Sequence, residues 1–476
     1  MLQTLKNAWN TKDIRGKILF TLLILLLYRI GTVIPVPFVE ANDFAASFSG
    51  TILDYMNVLS GGSLGAMTLF ALGVQPYINA SIIIQLLSVV FPKLAELAKN
   101  DKKKMNFITR IVTVILALIT AIGYYFILRN SNALTNAAVE GKAGWLYSIV
   151  IILCYCAGAS IIMWLAERIN DRGIGNGISM ILFANIVASV PSFVYNLVSL
   201  CAQTYGYTEN AWLYGILSTV FSVVFIVFLL VLIAVVIWFT GSERRIPVQY
   251  AKKVVGRKMY GGQSSNLPIK LNMTGVMPII FASSIVSFIP TILQVLQSAG
   301  VISSTKTPGW YKFSEIIGAN GVIYPIALFL LIIGFAYFYT QITFDPIEVS
   351  NNLKRQGGAI PGIRQGRPTA EYIKKILNKI TLAGALFLGV IAVLPQILGP
   401  HVLKHFFTWI YEGMFAGTYY EGTTLATSYA SMYASNLVSI FSFGGTTLLI
   451  VVGVALETFR QLEAELTMRN YKGFLN

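Results

Sequence analysis

The sequence predicts an all-α polytopic membrane protein of ten transmembrane helices, on three observations. The 476 residues are 55% hydrophobic and only 12% charged, whereas a soluble domain carries about 25% charge. Apolar stretches near the bilayer-crossing length of about 20 residues recur along the whole chain. The segments between them alternate in charge, so the net charge of +15 reflects basic residues gathered on one side of a membrane rather than a DNA-binding surface.

The candidate spans lie at 18–38, 72–92, 107–128, 146–166, 175–195, 213–239, 273–293, 321–342, 380–398 and 437–457. Lys6, Lys12, Arg15 and Lys17 precede the first, and Glu40, Asp43 and Asp54 follow it. The next loop holds Lys93, Lys99, Lys102, Lys103, Lys104 and Arg110. Arg129, Lys142, Lys306, Lys312 and Lys404 fall on the acidic side, and Arg29 lies in the outer part of the first span. All the other basic residues lie opposite, which makes that side cytoplasmic and places both termini there. Residues 1–17 are polar and basic, and the first apolar run is too long for a signal-peptide core and lacks a small-residue cleavage site, so no cleavable signal is expected.

Ten spans divide as five plus five. An odd number per half forces opposite orientations, the arrangement of an inverted repeat. The halves are expected at 1–205 and 206–476, joined on the outer side near 196–212.

The second span has an unusual beginning. Gly61, Gly62 and Gly65 break its approach and Pro76 interrupts it. On one helical face Val74, Ile78, Ser81 and Gln85 follow the i, i+4, i+7, i+11 spacing. That face passes from aliphatic to polar within the bilayer, a pattern suited to a water-filled funnel above a greasy constriction.

Chemistry-bearing residues are sparse. Mid-depth ionisable groups, which ion-coupled transporters use, are almost lacking: Glu167 and Glu457 fall at the cytoplasmic ends of their spans. The histidines, His401 and His405, lie in the last outer loop. Cys154, Cys156 and Cys201 make no disulfide framework and read as small apolar fillers. GIGNG (173–177) does not follow a strand, so it reads as a tight turn rather than a phosphate cradle. No cofactor, metal or catalytic constellation is expected. Three classes stay open from the residues alone: a channel with an aliphatic waist, a small-solute secondary transporter, and an insertase or scaffold without a through-pore.

Five long motifs bear on that choice. TLFALGVQPYINASIIIQLL (68–87), ERINDRGIGNGISMILFANIVA (167–188), ERRIPVQYAKKVVGRKMYGGQSSNLPIKLNMTGVMPIIFASSI (243–285), GGAIPGIRQGRPTAEYI (357–373) and FGGTTLLIVVGVALET (443–458) resemble, in order, the SecY family of bacterial protein-conducting channel subunits. The resemblance implies two five-helix halves closing as a clamshell around an hourglass pore. It implies a waist ring at Val74, Ile78, Ile186, Ile280 and Ile450, with Leu182 a neighbouring candidate. It implies a plug helix over roughly 59–70, including Leu59, Gly61, Gly62, Leu64, Met67 and Phe70. A lateral gate, releasing hydrophobic segments into lipid, would be lined by Ser81 and Gln85 opposite Ser283, Ser284 and Ser287. Aliphatic side chains suit such a ring: they deform, bind no particular sequence, and dewet when the gap is empty.

The loops 240–271 and 343–379 are long as well as basic, and topology alone needs only short connections. The resemblance makes them docking sites for the SecA ATPase and the ribosome, through Arg244, Arg245, Arg257, Lys258, Arg355 and Arg364. The family further implies SecE and SecG subunits, SecDF and YidC as accessory partners, and signal peptides, nascent chains and membrane lipids as ligands, in the bacterial plasma membrane. Energy then comes from a partner, and the chain itself is not an enzyme. One departure is the outer segment 399–436, longer than the family pattern and rich in aromatics, which suits an interfacial position.

Overall fold

A computed structural model describes residues 2–40, 52–131, 133–135, 144–204, 211–250, 253–255, 258–260, 264–302, 307–317, 321, 323–398 and 445–472. Arg257 and the outer segment 399–436, with His401 and His405, lie outside these residues.

Helix α1 (Leu2–Asn10) leads into α2 (Lys12–Gly31). The predicted first span ran to residue 38, but α2 ends at Gly31. The Thr32 N–H closes it on the Tyr28 and Ile30 carbonyls, and Pro35 and Pro37, which cannot continue a helix, follow. The chain is then extended, and Pro35 pairs with Thr68.

A short helix, α3 (Ile52–Leu59), precedes a run of turns over 60–74. Helix α4 (Gln75–Val90) starts there, with Pro76 in its first turn. Pro76 therefore does not interrupt a span. It begins one, where its missing N–H has no intrahelical role. Pro92 opens α5 (Pro92–Asn100), bent by 118° from α4.

The long helices follow: α6 (Lys102–Asn130), α7 (Gly144–Arg172), α8 (Gly177–Thr204), α9 (Ala211–Gly241) and α10 (Met277–Ser298). A short helix, α11 (Pro308–Ile317), precedes α12 (Ile323–Thr343). After α13 (Pro346–Arg355) come α14 (Arg367–Ile397) and α15 (Gly445–Lys472). Asp101 caps α6 by accepting from the Lys104 amide, which holds its carboxyl below the usual carboxylate value. Among the described residues eight helices are long and apolar enough to cross a membrane, nine if α4 and α5 count as one. The remaining candidate, α2, carries Lys12, Asp13, Arg15 and Lys17 in its first turns.

Packing order repeats along the chain. α4 packs on α6 and α6 on α7, and later α10 packs on α12 and α12 on α14. The earlier and later sets meet along two seams, α10 against α4 and α6, and α8 against α15. Near the start of α6 and the end of α7, Arg110 grips Glu167 through Nε and Nη2, at 2.9 and 2.6 Å, joining the two helices. Lys17 reaches Glu465 at 2.8 Å and the Gly175 amide donates to Gln461 at 2.9 Å, tying α2 and the 173–176 turn to α15.

The chain is mostly helical but not purely so. Residues 240–271 form strands β1 (Glu243–Tyr250), β2 (Lys253–Val255), β3 (Lys258–Tyr260) and β4 (Ser264–Lys270). β1 pairs antiparallel with β4 and, on its other edge, with β5 (Gly358–Ala359) from the next basic loop. Ile246, Val248 and Ile269 pack with Leu353 and Ile373 beneath this sheet. The two basic loops are thus one unit.

Candidate pore, gate and docking platform

The aliphatic residues converge. Val74 at the N-cap of α4, Ile78 within it, Ile186 on α8, Ile280 on α10 and Ile450 on α15 are each at most 2% exposed. They belong to one apolar cluster with Leu182 and Val276. The five predicted residues come from four helices, α4, α8, α10 and α15. All five side chains are aliphatic, so none of them brings a polar atom to the cluster.

The helix beside this cluster is α3, upstream of the predicted 59–70 segment. Its Tyr55 and Leu59 enter the same apolar cluster, and Thr446 Oγ1 donates to the Tyr55 hydroxyl at 3.3 Å. Gly61 and Gly62, at φ +68° and +86°, end the helix instead of opening it. Glycine after the last helical turn is a stop signal, and that rule would have located α3 in the sequence. Leu64, Met67 and Phe70 lie in the turns that follow. Phe70 stacks on Tyr28 at 5.4 Å, while Leu64 and Met67 pack against α6 and α7. The turns are held internally by the Gly65 amide on Asn57 Oδ1 at 2.8 Å and the Leu64 amide on Ser60 Oγ at 3.2 Å.

At the α4–α10 seam the polar residues divide into two groups. Ser81 and Gln85 meet each other, Gln85 Nε2 donating to Ser81 Oγ at 3.3 Å. Across the seam Gln85 accepts from the Tyr339 hydroxyl of α12 at 3.0 Å. Ser283, Ser284 and Ser287 are buried on α10. Ser283 donates to the Ile280 carbonyl and Ser287 to the Ser284 carbonyl, each at 3.0 Å. A cavity of about 260 Å³ lies between α4, α6 and α10, lined by Gln75, Asn79, Thr120, Ser284, Ser287 and Met56. The structure does not bring Ser81 and Gln85 to this cavity. Gln75 and Asn79, one turn apart on the neighbouring face, take that place, and the Gln75 Oε1 is buried without a hydrogen bond. Neither Gln75 nor Tyr339 carries a sequence signal for this place, since a lone amide and a lone tyrosine in apolar helices fit no motif.

On the two basic segments Arg244, Arg245 and Arg364 are exposed on the sheet and its loops, and Arg355 is exposed at the end of α13. Arg245 pairs with Glu243 at 2.8 Å. Lys258 opens β3. The loop that carries Arg364 is fastened on both sides: Thr369 Oγ1 donates to the Arg364 carbonyl at 2.8 Å, and Gln365 Nε2 to the Gly358 carbonyl at 3.0 Å. Burial, then the nearby Arg460 charge, holds Lys270 at the base of β4 below the ordinary lysine value.

The family model for SecY matches residues 68–459. Protein translocase subunit SecY of Streptomyces galbus is 39% identical over 487 residues, covering the whole of both chains. The same subunit of Mycobacterium bovis is 38% identical over 490 residues with equally full coverage. Among solved structures, one described as a protein conducting channel superposes with a TM-score of 0.60 at 18% identity, over 95% of this chain and 92% of its own. Sec61 in a canine ribosome–channel complex superposes at 0.57, with the same identity and coverage. With a family model matched over most of its length and full-length relatives at this level of identity, the chain belongs to the SecY family of membrane-spanning protein translocase subunits.

Proposed function

We propose that this chain is the pore subunit of a protein-conducting channel, passing unfolded polypeptides across the membrane and releasing hydrophobic segments sideways into lipid. The observation that carries the reading is that Val74, Ile78, Ile186, Ile280 and Ile450 are all buried in one hydrophobic cluster that α3 also enters. In this reading the cluster is the closed waist and α3, with the turns to Phe70, is its plug. Halves 1–205 and 206–476 form the clamshell, and the α4–α10 seam is the lateral gate, with Gln75 and Asn79 facing Ser284 and Ser287, and with Ser81, Gln85 and Ser283 beside them. The protein sits in a bacterial plasma membrane with both termini cytoplasmic, since the basic platform then faces the cytoplasm.

SecE and SecG complete the complex in this proposal. The SecA motor and the ribosome dock on the platform through Arg244, Arg245, Arg257, Lys258, Arg355 and Arg364, and one of them supplies the driving energy. Arginine suits both an acidic motor surface and RNA phosphate. The test is translocation of a secretory precursor into proteoliposomes that contain the chain with its small subunits, SecA and ATP. Protease-protected precursor is the expected result. Insertion of membrane segments without any protected precursor would point to a one-sided groove instead.

A further inference from the structure

Arg29 and Asn185 have no part in the waist or the gate, yet both meet the end of α3. Asn185 Nδ2 donates to the Leu59 carbonyl at 2.8 Å, and Arg29 Nη1 donates to the Gly61 carbonyl at 3.1 Å. These carbonyls close a helix end, where acceptors lack intrahelical partners. Asn185 is fully buried, a position that costs free energy unless the amide is bonded. Gly61, at φ +68°, is fitted to both donors. A Cβ there would stand 2.9 Å from Asn185 Oδ1 and 3.0 Å from Arg29 Nη1.

The two donors come from α2 and α8, in the first half of the chain. The middle of α3 touches the second half through neutral groups. There the Tyr55 hydroxyl meets Thr446 Oγ1 at 3.3 Å and also Ser283, and Thr291 Oγ1 stands against Met56 Sδ at 3.5 Å. A thioether is a weak acceptor, whereas the guanidinium bond is charge-assisted. Met56 also receives the Tyr124 hydroxyl of α6 at 3.5 Å, a further contact with the first half.

We propose that Asn185 and Arg29 form a polar latch that keeps the end of α3 on the first half of the chain. When the seam opens, α3 then parts from α10 and α15 and travels with α2 and α8. The inference rests on α3 being the plug.

Two cross-linked variants test it, in the full complex and with Cys154, Cys156 and Cys201 replaced by serine. One pairs Leu59→Cys with Asn185→Cys, and the other Tyr55→Cys with Thr446→Cys, each joined by a short thiol cross-linker. Cross-linking the second pair is expected to abolish precursor translocation relative to its own uncross-linked form. Cross-linking the first is expected to leave its translocation at the uncross-linked level. A block from the first cross-link overturns the latch, because α3 must then leave α8. No block from either overturns the plug reading itself. Separately, Asn185→Leu and Arg29→Ala are expected to raise resting ion leak about fivefold, the factor for one net hydrogen bond, with Arg29→Lys restoring the seal. Unchanged leak in both variants would also overturn the latch.

Discussion

The Tyr339 hydroxyl donates to Gln85 Oε1 at 3.0 Å, joining α12 to α4 across the seam between the two halves of the chain. Gln85 is itself steadied by Ser81, and Phe281 of α10 packs edge-on against the Tyr339 ring at 5.4 Å. The bond is part-buried, so its loss leaves a desolvated amide oxygen, worth about 1–3 kcal/mol against the closed seam.

Tyr339→Phe removes only the hydroxyl. If the seam is the exit to lipid, this variant should open more readily and export precursors with weakened signal sequences about fivefold better, the factor for about 1 kcal/mol. Gln85→Leu should behave in the same way, and the double variant should add little to either. Additive effects in the double variant would show that the two side chains act apart.

The waist gives a sharper contrast. Ile450 and Ile280 are 1% and 2% exposed within the apolar cluster. Replacing either by asparagine places a buried amide in a hydrophobic cluster, at a cost of roughly 1–3 kcal/mol, and the site recovers that cost by admitting water. Ile450→Asn or Ile280→Asn should therefore conduct ions at rest and relax signal-sequence selectivity, whereas Ile450→Val should stay sealed. Equal single-channel conductance in the asparagine and valine variants would remove these residues from the waist.

Gly158 of α7 separates packing from backbone freedom. Its Cα faces the Leu69 carbonyl, and an added Cβ would overlap that backbone oxygen. Gly158→Ala must push the 60–74 turns off α7, an overpacking cost of about 1–3 kcal/mol. Gly62 has open space around it but a φ of +86°, so Gly62→Ala carries only the left-handed penalty of about 1–2 kcal/mol. In thermal unfolding of the detergent-solubilised protein, Gly158→Ala should lower the midpoint more than Gly62→Ala does.

The burial of the aliphatic residues was readable in the sequence because it depends on residue type and helical spacing, and Val74 and Ile78 need only a four-residue repeat to share a face. The beginning of α4 was not. Pro76 within an apolar run reads as a break unless the turn before it is known, and the glycines at 61 and 62 mark the end of α3 as readily as the start of another helix. The gate was half readable. Ser284 and Ser287 do line the cavity, but the opposing face is set by the rotation of α4, which packing on α6 decides and which selects Gln75 and Asn79 over Ser81 and Gln85. The sheet was hidden because Arg244 and Arg245 mask the in–out alternation of Ile246 and Val248, and because β5 comes from a loop about a hundred residues further on.

The exposed platform offers the last test. Arg364 is held by its backbone, through the Thr369 hydroxyl, while its side chain stays exposed. Charge reversal there should leave the fold alone and act only on whatever binds. Arg364→Glu is therefore expected to leave channel abundance and thermal midpoint unchanged while reducing SecA-driven export by at least about tenfold, since a like charge facing a docked acidic partner costs several kcal/mol. Thr369→Val keeps the arginine but frees its carbonyl, and should give an intermediate loss that the guanidinium chemistry alone would not predict. Binding of the motor to Arg364→Glu should stay weak at low salt, whereas a change at a merely peripheral charge would be rescued there by long-range attraction from Arg244, Arg245 and Arg355. Full ATP-driven export by Arg364→Glu would exclude this loop from the docking surface.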